Sequence, residues 1–343
     1  MATILVAGPT LACGGLIGPN GAVNLLRTTT FAGYSQGLEH YVTAFQFQGG
    51  GGAFGSITPL PGVPSSVEKG GDWTLQRLIL ETDPPRNDVR LDFLFGAAAA
   101  PGAAEELMKV RIDALDVTVL KGGAMEVGQW ASDHGFRLPP DAPEVLEFYA
   151  ERSPIFLAAV FDADAAAARG QAIGDGTPVH ITIPTPNPWV PIRILSLGKT
   201  GGEVVEADVY LLTDRAPALL PAPGPSNGMR LDHSDPASEA LLNDLRSDTG
   251  MSWVPESGWL TKIAIDANAP QLSFDLAIDA SGANQPSYVQ AGLERPGEPF
   301  VDNRAAQQLL TWGAMLAVGV LLAGWVLRSA AGTAGGPRLR PQG

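Results

Sequence analysis

Residues 155–161 read IFLAAVF, an unbroken apolar run followed by Asp162. A run this short and uniform suits a central β-strand buried on both faces, because a strand with one wet face alternates apolar and polar residues. Further strands are expected on either side. Met108 to Leu120 is strand-rich, with DVTVL its clearest part, and Val179 to Ile183, Trp189 to Leu197 and Val204 to Thr213 follow downstream. Between them lie two helical patterns, Met125 to His134 closed by Gly135, and Ala142 to Arg152 entered through Pro139-Pro140-Asp141. Pro184, Pro186, Pro188 and Pro191 confine their segment to an edge or an irregular turn, since proline cannot donate to a sheet ladder.

Nearer the N-terminus, Gly21 to Tyr34 is β-like, and His40 to Phe47 (HYVTAFQF) has the period of a half-buried strand. The Gly49–Gly52 run breaks it, Phe54 to Leu60 resumes it, and Pro59, Pro61 and Pro64 end it, as in a hairpin or a long β-arch. Asp72 to Glu81 reads as a short helix with Asp72 as N-cap, stopped by Pro84-Pro85. Val89 to Phe95 is another strand, and 96–104 an Ala/Gly/Pro connection. Beyond Thr213, residues 217–228 are a Pro/Ala-rich linker, Asp235 to Ser247 a helix capped by Asp235, and Trp259 to Ile265 and Leu272 to Ile278 two strands. No internal repeat is visible. The fold class expected is α+β, mostly antiparallel sheet with several short helices, plus one C-terminal transmembrane helix.

That last helix is Ala305 to Leu327, AAQQLLTWGAMLAVGVLLAGWVL, which carries no charged side chain and is followed by Arg328. Roughly 20 mainly apolar residues span the hydrocarbon core as a helix. Trp312 and Trp325 stand toward its two ends, where indoles prefer the interface. The span therefore contacts membrane lipid, and the small residues Gly313, Ala317, Gly319 and Ala323 offer another membrane helix a close approach. The absence of an ionisable residue inside it argues against transport or proton relay. Residues 1–12 resemble the second half of a secretory signal. With a signal, the large domain is extracytoplasmic and 328–343 is a cytoplasmic tail; without one, the helix is a tail anchor and the large domain is cytoplasmic. The arginine-bearing, acid-free tail favours the first arrangement. The organisation expected is 1–12 signal remnant, 13–216 first part of the ectodomain, 217–228 linker, 229–280 its second part, 281–304 tether, 305–327 span and 328–343 tail.

The 343 residues include 36 acidic and 22 basic side chains, for a net charge of −14. Such a surface argues against nucleic-acid partners, which need clustered Lys and Arg. Cys13 is the one cysteine, which excludes an internal disulfide and a thiolate metal cluster. Leu11-Ala12-Cys13 is loosely like a lipoprotein cleavage box, although Thr10 stands where a branched apolar residue is usual.

Chemical motifs are sparse. Gly50, Gly52 and Gly55 satisfy G-x-G-x-x-G, but SITPLPGVP follows, and the dinucleotide fingerprint requires a helix there. His40, His134, His180 and His233 have no ligand spacing, and His40 and His180, placed at strands, read as packed side chains. Asp162 with Asp164, and Asp232 with Asp235 around His233, are the oxygen-rich candidates for a metal ion, without the loop pattern of a calcium site. No catalytic residue and no cofactor is assigned.

Several stretches together resemble the bacterial family called domain of unknown function 2330. They are ACGG (12–15), FGSITPLPGVP (54–64), WTLQRLILETDPP (73–85), DVTVLKGG (116–123), HGFRLPPDAPEVLEFYAERSPIFLAAVFDA (134–163) and TPVHITIPTPNPWVPIRI (177–194). The resemblance implies a secreted or membrane-anchored bacterial surface protein and brings no activity or functional residue with it. The expected function is a membrane-anchored extracytoplasmic binding module or accessory subunit of a membrane complex. The alternative is a cell-surface hydrolase with a site near the Gly49–Gly52 loop and Asp162/Asp164.

Overall fold

The computed structural model describes residues 10–11, 15–18, 21–22, 27–45, 55–83, 105–168 and 177–294. Residues 1–9 and 12 of the expected 1–12 signal remnant, Cys13, the Gly49–Gly52 run, the strand expected over Val89–Phe95 and everything from Arg295 onward lie outside the described residues. No helix among the described residues is long and apolar enough to cross a membrane.

Strand alternation organises the molecule. In the strand Leu38–Phe45, Tyr41 enters one apolar core and Val42 another. The same division separates Ala32 from Phe31, Leu211 from Tyr210 and Leu212, and Ile263 and Ile265 from Leu260. Successive side chains of a strand point to opposite faces, so apolar residues in both phases give a sheet that must be covered twice. This sheet has the order Met229–Pro236, Trp259–Asn268, Val204–Thr213, Arg27–Ser35, Leu38–Phe45, Thr177–Pro184, Ser66–Lys69, with Thr10–Leu11 paired beside Arg27–Ser35. Its pairs are antiparallel except for Val204–Thr213 and Thr10–Leu11, each parallel to Arg27–Ser35. The helices Thr74–Thr82 and Glu239–Ser247 cover one face with Leu75, Leu78, Leu241, Leu242 and Leu245.

The other face meets a second, wholly antiparallel sheet of order Gly21–Ala22, Gly15–Gly18, Gly55–Pro59, Ile155–Phe161, Leu115–Lys121, Glu105–Ile112. Ile155–Phe161 is interior to it, and all of its residues are buried. The helices Ala124–Asp133 and Ala142–Ala150 add Val127, Trp130, Leu146 and Tyr149 to the same core. A three-stranded antiparallel sheet, Trp189–Val190, Leu276–Asp279 and Ala218–Leu220, completes it. The class is mixed α+β, mostly antiparallel, with few helices.

Several local expectations are corrected. Residues 41–44 are buried on both faces rather than half-buried, and Leu38–Phe45 and Gly55–Pro59 lie in different sheets, which rules out the hairpin and leaves the β-arch. The strand expected over Trp189 to Leu197 is only Trp189–Val190. Pro191 has no N–H for a ladder, and the chain turns into the 3₁₀ helix Arg193–Ser196. Thr177–Pro184 is interior, but its pairing with Ser66–Lys69 stops at Thr182, so Pro184 has a neighbour on one side only and 185–188 form an irregular turn, as the prolines imply. The 217–228 segment is no boundary. It contains Ala218–Leu220, and the strands flanking it, Val204–Thr213 and Met229–Pro236, both pair with Trp259–Asn268. Residues 281–294, expected as tether, are folded onto the body up to the short helix Tyr288–Ala291.

Two helix caps are also corrected. Asp235 lies on the strand Met229–Pro236, opposite Leu260, and the following helix is capped by Ser238, whose Oγ accepts from the Leu241 N–H at 3.2 Å. Asp72 does not cap the Thr74–Thr82 helix. Asp248, at the C-terminal end of Glu239–Ser247, does so from far along the chain. Its carboxylate accepts from Asp72 N–H at 3.1 Å, Trp73 N–H at 3.0 Å and Thr74 Oγ1 at 2.8 Å. A buried negative charge at a helix N-terminus satisfies orphan amides and meets the positive end of the helix dipole. Replacing Asp248 with Ala strands these donors beside a buried cap. The expected loss is about 2–3 kcal/mol of unfolding free energy, measured by urea denaturation, with Asp248→Asn losing less.

Candidate functional site

The densest polar assembly surrounds Asp275, which is fully buried between the Ala142–Ala150 helix and the three-stranded sheet. Its Oδ1 accepts from Tyr149 Oη at 2.8 Å and from the N–H groups of Ile192 at 2.7 Å and Arg193 at 3.1 Å. Its Oδ2 meets Arg152 Nη2 at 2.6 Å. Tyr149 Oη in turn accepts from the Ile194 N–H at 2.8 Å. Burial, and then the charge of Asp275, push the Tyr149 pKa well above its usual value, which keeps the phenol a donor. The Arg152 guanidinium lies 4.0 Å from the Phe148 ring centroid and 5.2 Å from that of Trp189, and it also donates to the Gln290 and Phe148 carbonyls. The result is a clamp that ties the Tyr288–Ala291 helix to the core.

Beside the clamp opens a cleft of about 180 Å³, walled by Pro186, Pro188, Pro286 and Ile278 and edged by Asn187, Asp279, Asn284, Gln285 and Gln290. No lysine or arginine lines it. Asp279 Oδ2 accepts from Ser281 Oγ at 2.8 Å and Asn284 N–H at 2.9 Å, and Gln285 Nε2 donates to Tyr288 Oη at 2.9 Å. Burial alone would raise the Asp279 pKa, but the hydrogen bonds from Asn284 and Ser281 outweigh it and leave the group below the usual carboxylate value. The proline walls are stiff and the rim offers amides as both donors and acceptors. This suits a neutral, hydroxyl- or amide-bearing group.

Two further titratable features flank the middle of the eight-stranded sheet. On the helix-covered face, His40 Nδ1 and His180 Nε2 are 2.9 Å apart, and Trp253 stacks on His40 with ring centroids 4.1 Å apart. Gly33 makes room for that indole, since a Cβ there would stand 2.5 Å from the Trp253 ring. Burial lowers the pKa of both histidines to about 4. On the opposite face, Glu39 is buried, and neither of its oxygens receives a hydrogen bond of ordinary geometry. Burial raises its pKa to about 8, with the Trp189 backbone N–H pulling weakly the other way.

The metal candidates do not converge. Asp162 pairs with Arg111 at 2.6 Å and accepts from the Ala165 N–H at 3.0 Å as a local cap. The Asp164 side chain lies outside the described residues. Asp232 pairs with Arg230, while Asp235 stands 3.9 Å from His233. Among the described residues, no three His, Cys, Asp or Glu side chains are grouped to hold a metal ion. His134 caps its helix and contacts the Trp130 carbonyl at 2.8 Å. The cleft was missed because its walls come from segments about 90 residues apart in sequence, a proline-rich turn at 186–188 and a strand end with the polar stretch after it at 277–290, each ordinary when read alone.

A family model described as an uncharacterised protein conserved in bacteria, DUF2330, matches residues 12–222. The chain belongs to this family. No curated protein matches it. Among solved structures it is similar to baculovirus P35, with a TM-score of 0.41 and 10% identity over 75% of this chain and 97% of that one. A mutated baculovirus P35 after caspase cleavage gives a TM-score of 0.38 and 8% identity, covering 75% and 98% of the two chains. The caspase-8/P35 complex gives 0.36 and 9%, covering 74% and 90%. Likeness at this level carries no argument about what this member of the DUF2330 family does.

Two consequences are measurable. Arg152→Ala leaves the Asp275 carboxyl buried without its cation, and about 3–5 kcal/mol of stability should be lost in chemical denaturation. The second concerns pH. Below about 4.5, Glu39 is protonated whether the chain is folded or not; between there and about 8, only the folded chain keeps the proton, so stability falls as pH rises across that window. The histidine pair acts in the opposite sense, because between 6.5 and about 4 only the unfolded chain takes up protons and stability falls as pH drops. Calorimetric melting across this range should show Glu39→Gln matching the parent near the acid end and exceeding it at the alkaline end, with the acid limb unchanged.

Proposed function

We propose that this chain is a single-pass, membrane-anchored extracytoplasmic binding module, an accessory subunit of a membrane complex, with the proline-walled cleft as its recognition site. The observation that carries the reading is the cleft itself. It is concave, rimmed by Asn187, Asn284 and Gln285, and built on the segment that Arg152 clamps. In sequence, that segment shortly precedes the uncharged stretch Ala305–Leu327, whose length and flanking indoles fit a membrane span. The cleft has no basic side chain, which disfavours phosphates and other anions, and its amides suit the hydroxyl or peptide groups of a neutral surface partner. Gly313, Ala317, Gly319 and Ala323 would let a second membrane helix approach closely. No bound cofactor or metal is required for such a role.

The test uses the tagged full-length protein in bacterial membranes. It should sediment with membranes until detergent is added, be cleaved by protease added to intact cells, and recover a defined membrane partner on pull-down. The double variant Asn187→Ala/Gln285→Ala should keep the parental melting temperature and lose that partner. Recovery in the supernatant without detergent overturns the anchoring. A partner retained at full yield by the double variant overturns the role of the cleft.

A further inference from the structure

Lys262 lies in the middle of the strand Trp259–Asn268, and its side chain is only 1% exposed. It faces two carboxylates. Its Nζ contacts Asp83 Oδ2 directly and stands 3.7 Å from Asp208 Oδ1, whose side chain is 5% exposed. The Tyr210 ring forms the floor, with its centroid 5.8 Å from Nζ. Asp208 and Tyr210 alternate on one face of Val204–Thr213, and Tyr210 is the direct cross-strand partner of Lys262. Asp83 is held in place independently of the lysine. Its N–H closes the Thr74–Thr82 helix on the Ile79 carbonyl at 2.7 Å, and its neighbour Thr82 shares a 3.1 Å hydrogen bond with Tyr210 Oη.

An ion pair requires one carboxylate. This site sets two beside one ammonium, one of them in direct contact with it and the other buried. An amine, a carboxyl in contact with it, and a second, more deeply buried carboxyl able to carry a proton are the parts of a self-condensing amide site. We propose that Lys262 Nζ and the Asp83 side chain join as an isopeptide bond, with Asp208 carrying the proton.

The step balances without any co-reactant. Asp208 takes a proton from the lysine ammonium and passes it to the Asp83 carboxylate, freeing the Nζ lone pair to attack Cγ of the carboxyl so neutralised. The tetrahedral adduct returns a proton through Asp208 to one Asp83 oxygen, which departs as water while the N–C bond remains. One water is lost, the charges of Lys262 and Asp83 disappear together, and Asp208 ends as it began. Asp83 is 61% exposed, so the water leaves directly to solvent. The bond would tie the end of a helix to the central sheet across most of the sequence, which removes conformational freedom from the unfolded chain as a disulfide would. This chain cannot form an internal disulfide, because Cys13 is alone.

Intact-mass measurement of the purified full chain decides the matter. The expected result is a mass short of the sequence mass by one water, and a branched proteolytic peptide joining Asp83 to Lys262. Asp83→Ala changes an exposed side chain and should fold; it and Asp208→Ala should each show the full sequence mass. A parent chain of full sequence mass overturns the proposal, and so does a missing water that maps anywhere other than the 83–262 linkage. An intact cross-link in Asp208→Ala removes that residue from the reaction.

Discussion

A sheet that is apolar on both faces has no side to offer to water. The strands around Tyr41 and Val42, and around Leu211 and Tyr210, place large side chains above and below the same backbone. At about 25 cal/mol per Å² of apolar surface removed from water, no arrangement that exposes either face competes with one that covers both. The helix pair on one side and the second and third sheets on the other follow from that requirement. The antiparallel bias is only partly local, because among the described strands just Gly15–Gly18 with Gly21–Ala22, Arg27–Ser35 with Leu38–Phe45, and Glu105–Ile112 with Leu115–Lys121 are neighbours separated by two residues, and the rest pair at long range.

Double coverage carries a polar cost, and the fold meets it unevenly. Where a buried acid lies beside backbone N–H groups the match is close, as with Asp248 over a helix end and Asp275 among Ile192, Arg193, Tyr149 and Arg152. These two residues use charge to hold together elements far apart in sequence. Glu39 and the His40–His180 pair are different, because the sheet buries them without equivalent donors or counter-charges and they answer by changing protonation. The stability of the body is thus coupled to pH from two opposite faces of the same strands.

What could be read from the sequence was what local pattern determines. Ile155–Phe161 is a central strand with the expected bounds, Val204–Thr213 likewise, and Gly135 follows its helix with the positive φ that such a stop requires. Membership of the DUF2330 family was legible from a series of ordered segments spread over much of the chain. Asp72 and Asp235 were misread as caps because a cap is an arrangement of atoms, and the nearest acidic residue along the chain need not supply it. Asp248 reaches the first helix through tertiary structure, and Ser238 takes the place that Asp235 was expected to fill. Residues 217–228 have the composition of a linker, yet three of them complete a sheet whose other strands lie far away in sequence. The cleft and the Lys262 site are likewise products of long-range pairing, and no local period announces them.

The Arg152 clamp also bears on mechanics. A pull on the chain beyond Glu294 arrives first at the Tyr288–Ala291 turn, where the guanidinium grips the Gln290 carbonyl and, through Asp275, the backbone of residues 192 and 193. Several contacts across three segments would share the strain at once instead of peeling one after another. Traction from that end would therefore be spread through the interior before any strand slips.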